Sequence, residues 1–411
     1  MSTKFDVDTT TQDSSDFQPS FSVKVKYAVC FWKTLSVNLS SCKRQLYFFD
    51  SSHCLWLEIS VEEVVGVKMK EHTAAELMYI PDSSVNSSSA RLHVSKLFLL
   101  FDSIDFAEDW ANTINELVSV DVLLPLLIFV NPYGGRRAGK SLWRKQIKEM
   151  FDFANRPYAE VITAHREHIT DTCRNLEIST LSGVIVIGGD GSLAEAINGL
   201  HANPAGRLLP VGVIPAGSSN ALARARGICC PIRAAFFILK NKQSPLDLLL
   251  VTPGSGQPFF AVCAVSFGFI AEVNKLAETV FWRNCLGPAR YGCCGARRVI
   301  FGGSICNYQA AVNSGGGREI SRGSWDVFSP ELWRGGEGLI LVKNTCTWKL
   351  LTFLHKFNSR NFEGIRNFQV DLQTVEIEPI GSNLPFSIDG ELREISSLKI
   401  ELCKGHTIFF S

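Results

Sequence analysis

The chain has 411 residues, 46% of them hydrophobic, with 41 basic against 40 acidic side chains and a formal net charge of +1. That length exceeds one average core and sets an expectation of two or three domains; the near-neutral balance excludes a global field for nucleic acid, and no nucleic-acid partner is expected. Thirteen cysteines, an odd number with no CxxC pair, argue against a fully paired disulfide framework and against zinc spacing, and point to a reducing cytosol.

Residues 1–20 are polar and expected to be disordered; they carry no apolar signal core, and Ser2 stands where N-myristoylation needs a glycine. From 21 to 120 the chain reads as a β-rich domain of short strands (SVKVKYAVCF, RQLYFFD, CLWLEIS, EVVGVKM, RLHVSKLFLLF). It closes with an amphipathic helix, SIDFAEDWANTINELV, whose Phe106, Trp110, Ile114 and Leu117 share one face. A small β module closed by one helix resembles a pleckstrin-homology fold.

From 121 to 244 the texture is α/β. LLPLLIFVN, SGVIVIGG and LLPVGVIPAG are apolar runs, each ending in glycine or asparagine and each followed by a helix candidate, at Lys140–Ala154, Leu193–His201 and near Asn220. Such runs read as buried parallel strands, and ligands bind at their carboxyl ends. The longest dense apolar stretch, Val122–Val130, contains Pro125 and is far shorter than the roughly 20 residues that span a bilayer, so any membrane contact is expected from the side. From 245 to 411 a mostly antiparallel β domain is expected, interrupted by the helix IAEVNKLAETVFW and by a Gly/Ser-rich loop over Asn313–Ser324.

Three strand-end loops carry the chemistry. VNPYGGRRAGKS fits the P-loop spacing from Gly134 to Ser141, which would turn backbone amides toward phosphate. A P-loop enzyme also needs a strand ending in a magnesium-holding carboxylate, and in VIVIGGDG the glycines displace it. Gly188, Gly189 and Gly191 surround Asp190 with positions lacking a Cβ, as close approach by a ligand requires. Asp190 is either a helix cap or a carboxylate that accepts the proton of an attacking hydroxyl. The third loop, IPAGSSNALARA, adds exposed amides and hydroxyls at a helix start.

NPYGG, GGDGSLAEAINGL and PAGSSNALA, in this order, resemble the diacylglycerol-kinase-type catalytic fold of sphingosine, ceramide and diacylglycerol kinases; SPLDLLLV, AVSFGFIAEVNKLAE, LGPARYG and FSIDGE are similar to sphingosine kinases in particular. The resemblance implies an α/β nucleotide-binding domain, a lipid-binding β domain, and a lipid kinase using ATP and Mg2+. Its lipid substrate would be sphingosine or a relative, reached in the cytoplasm by transient, peripheral contact with a membrane surface. It assigns the nucleotide to Asn131, Pro132, Tyr133, Thr163, Ala164, His165, Arg166, Glu167, Glu195, Gly217, Ser218, Ser219 and Arg290, and to the Asp389-Gly390-Glu391 turn; no residue is singled out as a magnesium ligand. Gly188, Gly189, Asp190 and Gly191 lie against the lipid, with Asp190 as proton acceptor, and Glu272 meets the sphingosine amine and hydroxyl by ion pairing and hydrogen bonding. Departures are glutamate at 272 where the family has aspartate, Ser219 for glycine, Asn284 in the slot of a basic residue, and GGEGLILVK without the aspartates of D-G-x-x-D-L.

Overall fold

The computed structural model describes residues 21–28, 31–40, 44–81, 92–120, 124–134, 137–217, 220–228, 230–277, 279, 282, 290–301, 309–314, 317–328, 339–343, 374–380 and 385–411. Residues 1–20, expected to be disordered, lie outside that set. The chain forms two compact units, Met1–Asp121 with Glu149–Arg156, and Val122–Lys148 with Pro157–Ser411.

The first unit is antiparallel. Its strands are β1 (Phe21–Ala28), β2 (Phe31–Ser40), β3 (Gln45–Phe49), β4 (Leu55–Ser60), β5 (Val64–Glu71), β6 (Ala74–Tyr79) and β7 (Ser95–Phe101), in the order β4-β3-β2-β1-β7-β6-β5. Five strands were expected. The first expected run covers most of β1 and reaches the first residue of β2, so β2 is an added strand, and AAELMY (β6) hides its strand character because alanine, glutamate and leucine favour helix, while pairing on both sides decides otherwise. The closing helix, Ile104–Val118, starts at Ser103, whose hydroxyl accepts from the Phe106 amide. Its buried face is Ala107, Trp110, Ala111 and Ile114; Phe106 is 53% exposed, a correction to the expected stripe, because the face centres one residue further round. Asn115 ties the helix to β5 by accepting from the Val67 amide at 2.8 Å and donating to its carbonyl at 2.9 Å.

In the second unit β8 (Leu126–Val130), β9 (Tyr158–Ile162), β10 (Gly183–Gly188) and β11 (Val211–Pro215) form the parallel ladder, ordered β9-β8-β10-β11. Every residue of β8 and β10 is buried, as strands covered on both faces must be. The helix Asp190–Ala202 begins three residues before the expected start, and helices His168–Arg174 and Pro231–Leu239 join the expected ones. The remainder is β-rich: β12 (Gln243–Pro253), β13 (Phe259–Ala261), β14 (Val265–Gly268), β15 (Gln309–Ser314), β16 (Gly317–Phe328), β17 (Leu339–Lys343), β18 (Thr374–Ile380), β19 (Pro385–Ile388), β20 (Glu391–Glu394) and β21 (Leu398–Phe410). The expected loop at Asn313–Ser324 instead falls largely in β15 and β16, which pair antiparallel from Ser314↔Gly317 to Gln309↔Arg322. The expected boundary at 244/245 is crossed by the sheet: β21 runs parallel to β11 at Val211↔Phe409 and antiparallel to β12 along its length.

The helix Asp190–Ala202 is anchored at its far end. Asn198 donates to the Phe260 carbonyl at 2.9 Å and accepts from its amide at 2.8 Å. One turn on, His201 stacks on His406 with centroids 5.0 Å apart and lies against Phe260, while Arg207 approaches His406 Nδ1 at 3.2 Å. Burial pushes the His201 ring down to about 4, with His406 and Arg207 adding to it, and burial also lowers His406. A ring held below its unfolded value favours the neutral form on folding, so this contribution is present above about pH 6.5 and is lost as pH falls toward 4. The unfolding midpoint of His201→Phe, which keeps an aromatic ring but cannot charge, is therefore expected to fall less than wild type between pH 7 and 4.5. Parallel curves would remove His201 as a source of acid sensitivity.

Candidate active site

The parallel registers Val130↔Ile187, Val130↔Ile162 and Gly188↔Pro215 bring four loops off the sheet at one end. Asn131 builds the first. Its Oδ1 accepts from the Tyr133 and Gly134 amides at 2.9 and 3.0 Å, and its Nδ2 donates to Ser192 Oγ at 2.8 Å, tying NPYGG to the helix after GGDG. Gly139 opens the following helix, where a Cβ would stand 2.5 Å from the Asn131 carbonyl oxygen. The P-loop spacing is thus explained by packing. The Tyr133 and Gly134 amides face a side chain of their own loop, which corrects the expectation that they turn toward phosphate; the Tyr133 ring, 64% exposed, is what this loop presents outward.

The glycines around Asp190 divide by function. A Cβ on Gly188 would meet Ser192 at 3.1 Å, and one on Gly189 would meet the Gly217 Cα at 3.2 Å. These two are glycine because protein packs there, a correction to their reading as ligand clearance. Only Gly191 has open space where its Cβ would be. The third loop is pinned to the second: Ala216 and Gly217 donate to the Gly188 carbonyl at 2.8 and 3.0 Å, and Asn220 closes a side-chain ring on the Gly217 amide and carbonyl, both at 3.0 Å. Asn220, in the left-handed region at φ 51°, was missed in the sequence, although asparagine after small residues is a signal for that conformation.

Asp190 lies in the first turn of its own helix, whose N-cap is Gly189. Its carboxylate reaches across to the next helix, Ala221–Ala225, accepting from the Ala221 amide at 2.9 Å and the Leu222 amide at 3.3 Å. The capping alternative is thus realised, on a neighbouring helix that starts inside the loop cluster. A carboxylate has roughly four lone-pair directions, so two accepted amides leave capacity for a proton. The Cys263 thiol is buried near Asp190. Burial raises that thiol well above its usual range, with the charges of Asp190 and Asp389 adding to the effect.

Asp389, which the resemblance assigns to the nucleotide, is engaged by backbone. It accepts from the Val262, Cys263 and Ala264 amides at 2.8, 2.7 and 3.0 Å. Burial pushes its carboxyl up to about 6; the three amides oppose this and the Asp190 charge reinforces it. Asp389 and Gly390 form the turn with φ 51° and 85°, and Glu391 beyond it pairs with Arg166 at 2.6 Å. Both members of that pair are exposed, so it adds at most about 1 kcal/mol, but it brings the TAHRE and DGE segments together. Glu195 reaches the same place: burial raises its carboxyl, the Glu167 amide hydrogen bond lowers it, and the Glu391 charge raises it further. Thr163 is buried, its amide on the Val130 carbonyl at 3.0 Å; Ala164 donates to His168 Nδ1 at 3.0 Å, and the His165 and His168 rings stack at 5.0 Å. Pro132 sits between Asn131 and the exposed Tyr133. Ser218 and Ser219 lie outside the described residues, as do the side chains of Glu272, on the helix Phe269–Ala277, and of Arg290, at the start of Arg290–Phe301. Among the described residues no helix is long and apolar enough to cross a membrane.

Residues 125–251 match the diacylglycerol kinase catalytic domain. Sphingosine kinase 1 of Arabidopsis thaliana is 28% identical over 200 residues, covering 46% of this chain and 40% of that protein. Ceramide kinase of Homo sapiens is 26% identical over 209 residues, covering 46% and 38%. The chain thus spans less than half the length of these curated relatives. The crystal structure of a diacylglycerol kinase from Bacillus anthracis str. Sterne superposes with a TM-score of 0.54 at 20% identity, over 70% of this chain and 96% of that one, which establishes the fold. Residues 125–251 thus match the diacylglycerol kinase catalytic domain, and the chain is similar to sphingosine kinases.

Proposed function

We propose that the protein transfers the γ-phosphoryl group of ATP to the primary hydroxyl of sphingosine or a related sphingoid base, giving sphingosine 1-phosphate. The observation that carries this reading is the position of Asp190, a half-buried carboxylate where the second and third loops meet, beside the open space at Gly191. Asp190 accepts the hydroxyl proton as the oxygen attacks phosphorus, as the acidic residue does in phosphoryl transfer generally. The backbone at Gly191 is open to the approach of a ligand, and we assign the exposed Tyr133 ring and Arg166 guanidinium to the base and phosphates of the nucleotide. Bound with the nucleotide, Mg2+ neutralises charge on the phosphate oxygens. Glu272 on its helix pairs with the cationic amine, which favours a sphingoid base over ceramide or diacylglycerol.

Ceramide is the second reading, supported by the human relative and by the antiparallel N-terminal unit with its closing helix, which we take as a pleckstrin-homology-like module making the transient membrane contact. Phosphate transfer from labelled ATP to sphingosine, ceramide and diacylglycerol in mixed micelles tests both. Label is expected on sphingosine; label on ceramide alone would transfer the assignment to that lipid, and label on none would end the kinase reading.

A further inference from the structure

The basic half of the P-loop-like stretch has no part in the reaction as described above. RRAGKSLWRKQIK, residues 136–148, holds six cations and no acid, in a chain whose overall charge is only +1. From Gly139 the segment is helical, as Gly139–Leu142, a π turn over Trp143–Ile147, and Lys148–Phe153. The whole row up to Lys148 lies in the second unit. Trp143 and Ile147 are buried, and Trp143 Nε1 donates to Glu160 Oε2 at 2.8 Å, which fixes the inward side. Arg137, Lys140, Arg144 and Lys145 are exposed, and Lys148 is half-buried; Arg136 lies outside the described residues. Among the described residues none of these five cations forms an ion pair, and the next acid, Glu149, is taken by Lys96.

We propose that this basic row is a docking surface for an anionic lipid bilayer. Lys140, Arg144 and Lys148 recur every fourth residue, where like charges on a helix repel one another, so the row costs stability until opposite charge meets it. Its cations are strung out rather than converging: at 1.5 Å per residue, Arg144 and Lys148 stand about 6 and 12 Å along the helix from Lys140. That spread suits a surface of many headgroups, not one nucleotide, and the Tyr133 and Gly134 amides that would have completed a phosphate cradle are taken by Asn131. Ser141 and Gln146, exposed between the cations, are polar and offer no apolar anchor for a folded protein partner. The row starts directly after the NPYGG loop, at the end of the sheet where Asp190 lies, so a bilayer gripped there stays beside the loops. That purpose rests on the lipid-kinase reading; the electrostatic contact does not.

Cosedimentation of the full chain with vesicles of phosphatidylcholine, alone or mixed with phosphatidylserine, reads the contact without turnover. Wild type is expected to prefer the mixed vesicles and to be released between about 0.1 and 1 M salt, as the screening length falls from about 10 to about 3 Å. Arg144→Glu with Lys145→Glu is expected to weaken that binding about tenfold or more, since each cation near an anionic surface contributes separately. Arg144→Lys with Lys145→Arg, which keeps both charges, should bind as wild type does. Both positions are exposed, so the unfolding midpoints of the two variants should match wild type. Equal binding by wild type and the glutamate variant would overturn the inference, and is the outcome if the N-terminal unit makes the whole membrane contact. Binding of wild type to soluble polyglutamate but not to mixed vesicles would give the row to an acidic protein and overturn it too. In uncharged detergent micelles the glutamate variant should phosphorylate sphingosine within about twofold of wild type, as for surface changes away from a site. If no lipid is phosphorylated while the vesicle contrast holds, the docking surface stands and the kinase reading falls.

Discussion

Asp190→Asn is expected to cut lipid phosphorylation by about 10²–10⁴-fold, the range for loss of a positioned general base, while nucleotide binding persists. The structure sharpens this expectation, because the same carboxylate caps the helix Ala221–Ala225. Asparagine keeps one acceptor for those amides, so the stability lost should stay near or below about 1 kcal/mol, the usual value of a cap. Activity and stability are thus predicted to separate by orders of magnitude. Comparison of turnover with the unfolding midpoint decides it: a variant whose lost activity merely follows its lost stability would make Asp190 a cap and nothing more. Lys140→Ala is the companion measurement. A P-loop mechanism would make it the more damaging of the two, whereas Lys140 here is exposed on a helix whose opening glycine is explained by contact with Asn131.

The second large effect is a contrast between glycines. In Gly217→Ala the new methyl would stand 2.6 Å from the Gly189 Cα and 2.8 Å from Asn220 Oδ1, so the two loops must separate. Overpacking of that kind costs about 1–3 kcal/mol, and because the displaced backbone is the site itself, nucleotide affinity should fall with stability. Gly191→Ala meets nothing within 4 Å and lies in a first helical turn, where alanine is the better helix former by up to about 1 kcal/mol. Its unfolding midpoint should hold or rise, yet if substrate occupies the open side its KM should increase at least several-fold. A Gly191→Ala protein with unchanged kinetics would show that no ligand approaches there.

Much of this site was legible before any coordinates. The β-branched runs GVIVIG and LLIFV specify buried strands, since two covered faces demand apolar residues at every position, and their polar, glycine-rich ends announce where ligands can reach. The identity of Asp190 as the one acid among those loops was equally plain. What the sequence could not reveal is what each group spends its hydrogen bonds on. Asn131 turning amides inward, Gly188 and Gly189 yielding to Ser192 and Gly217, and Asp389 consumed by three amides are matters of distance between segments far apart in the chain. Sequence by itself determined which strands are buried and which end of the sheet is chemically equipped, because burial and turn chemistry are local. Tertiary structure alone decided which glycines serve packing and which leave room, and which amides each carboxylate accepts, because those depend on contacts across the chain.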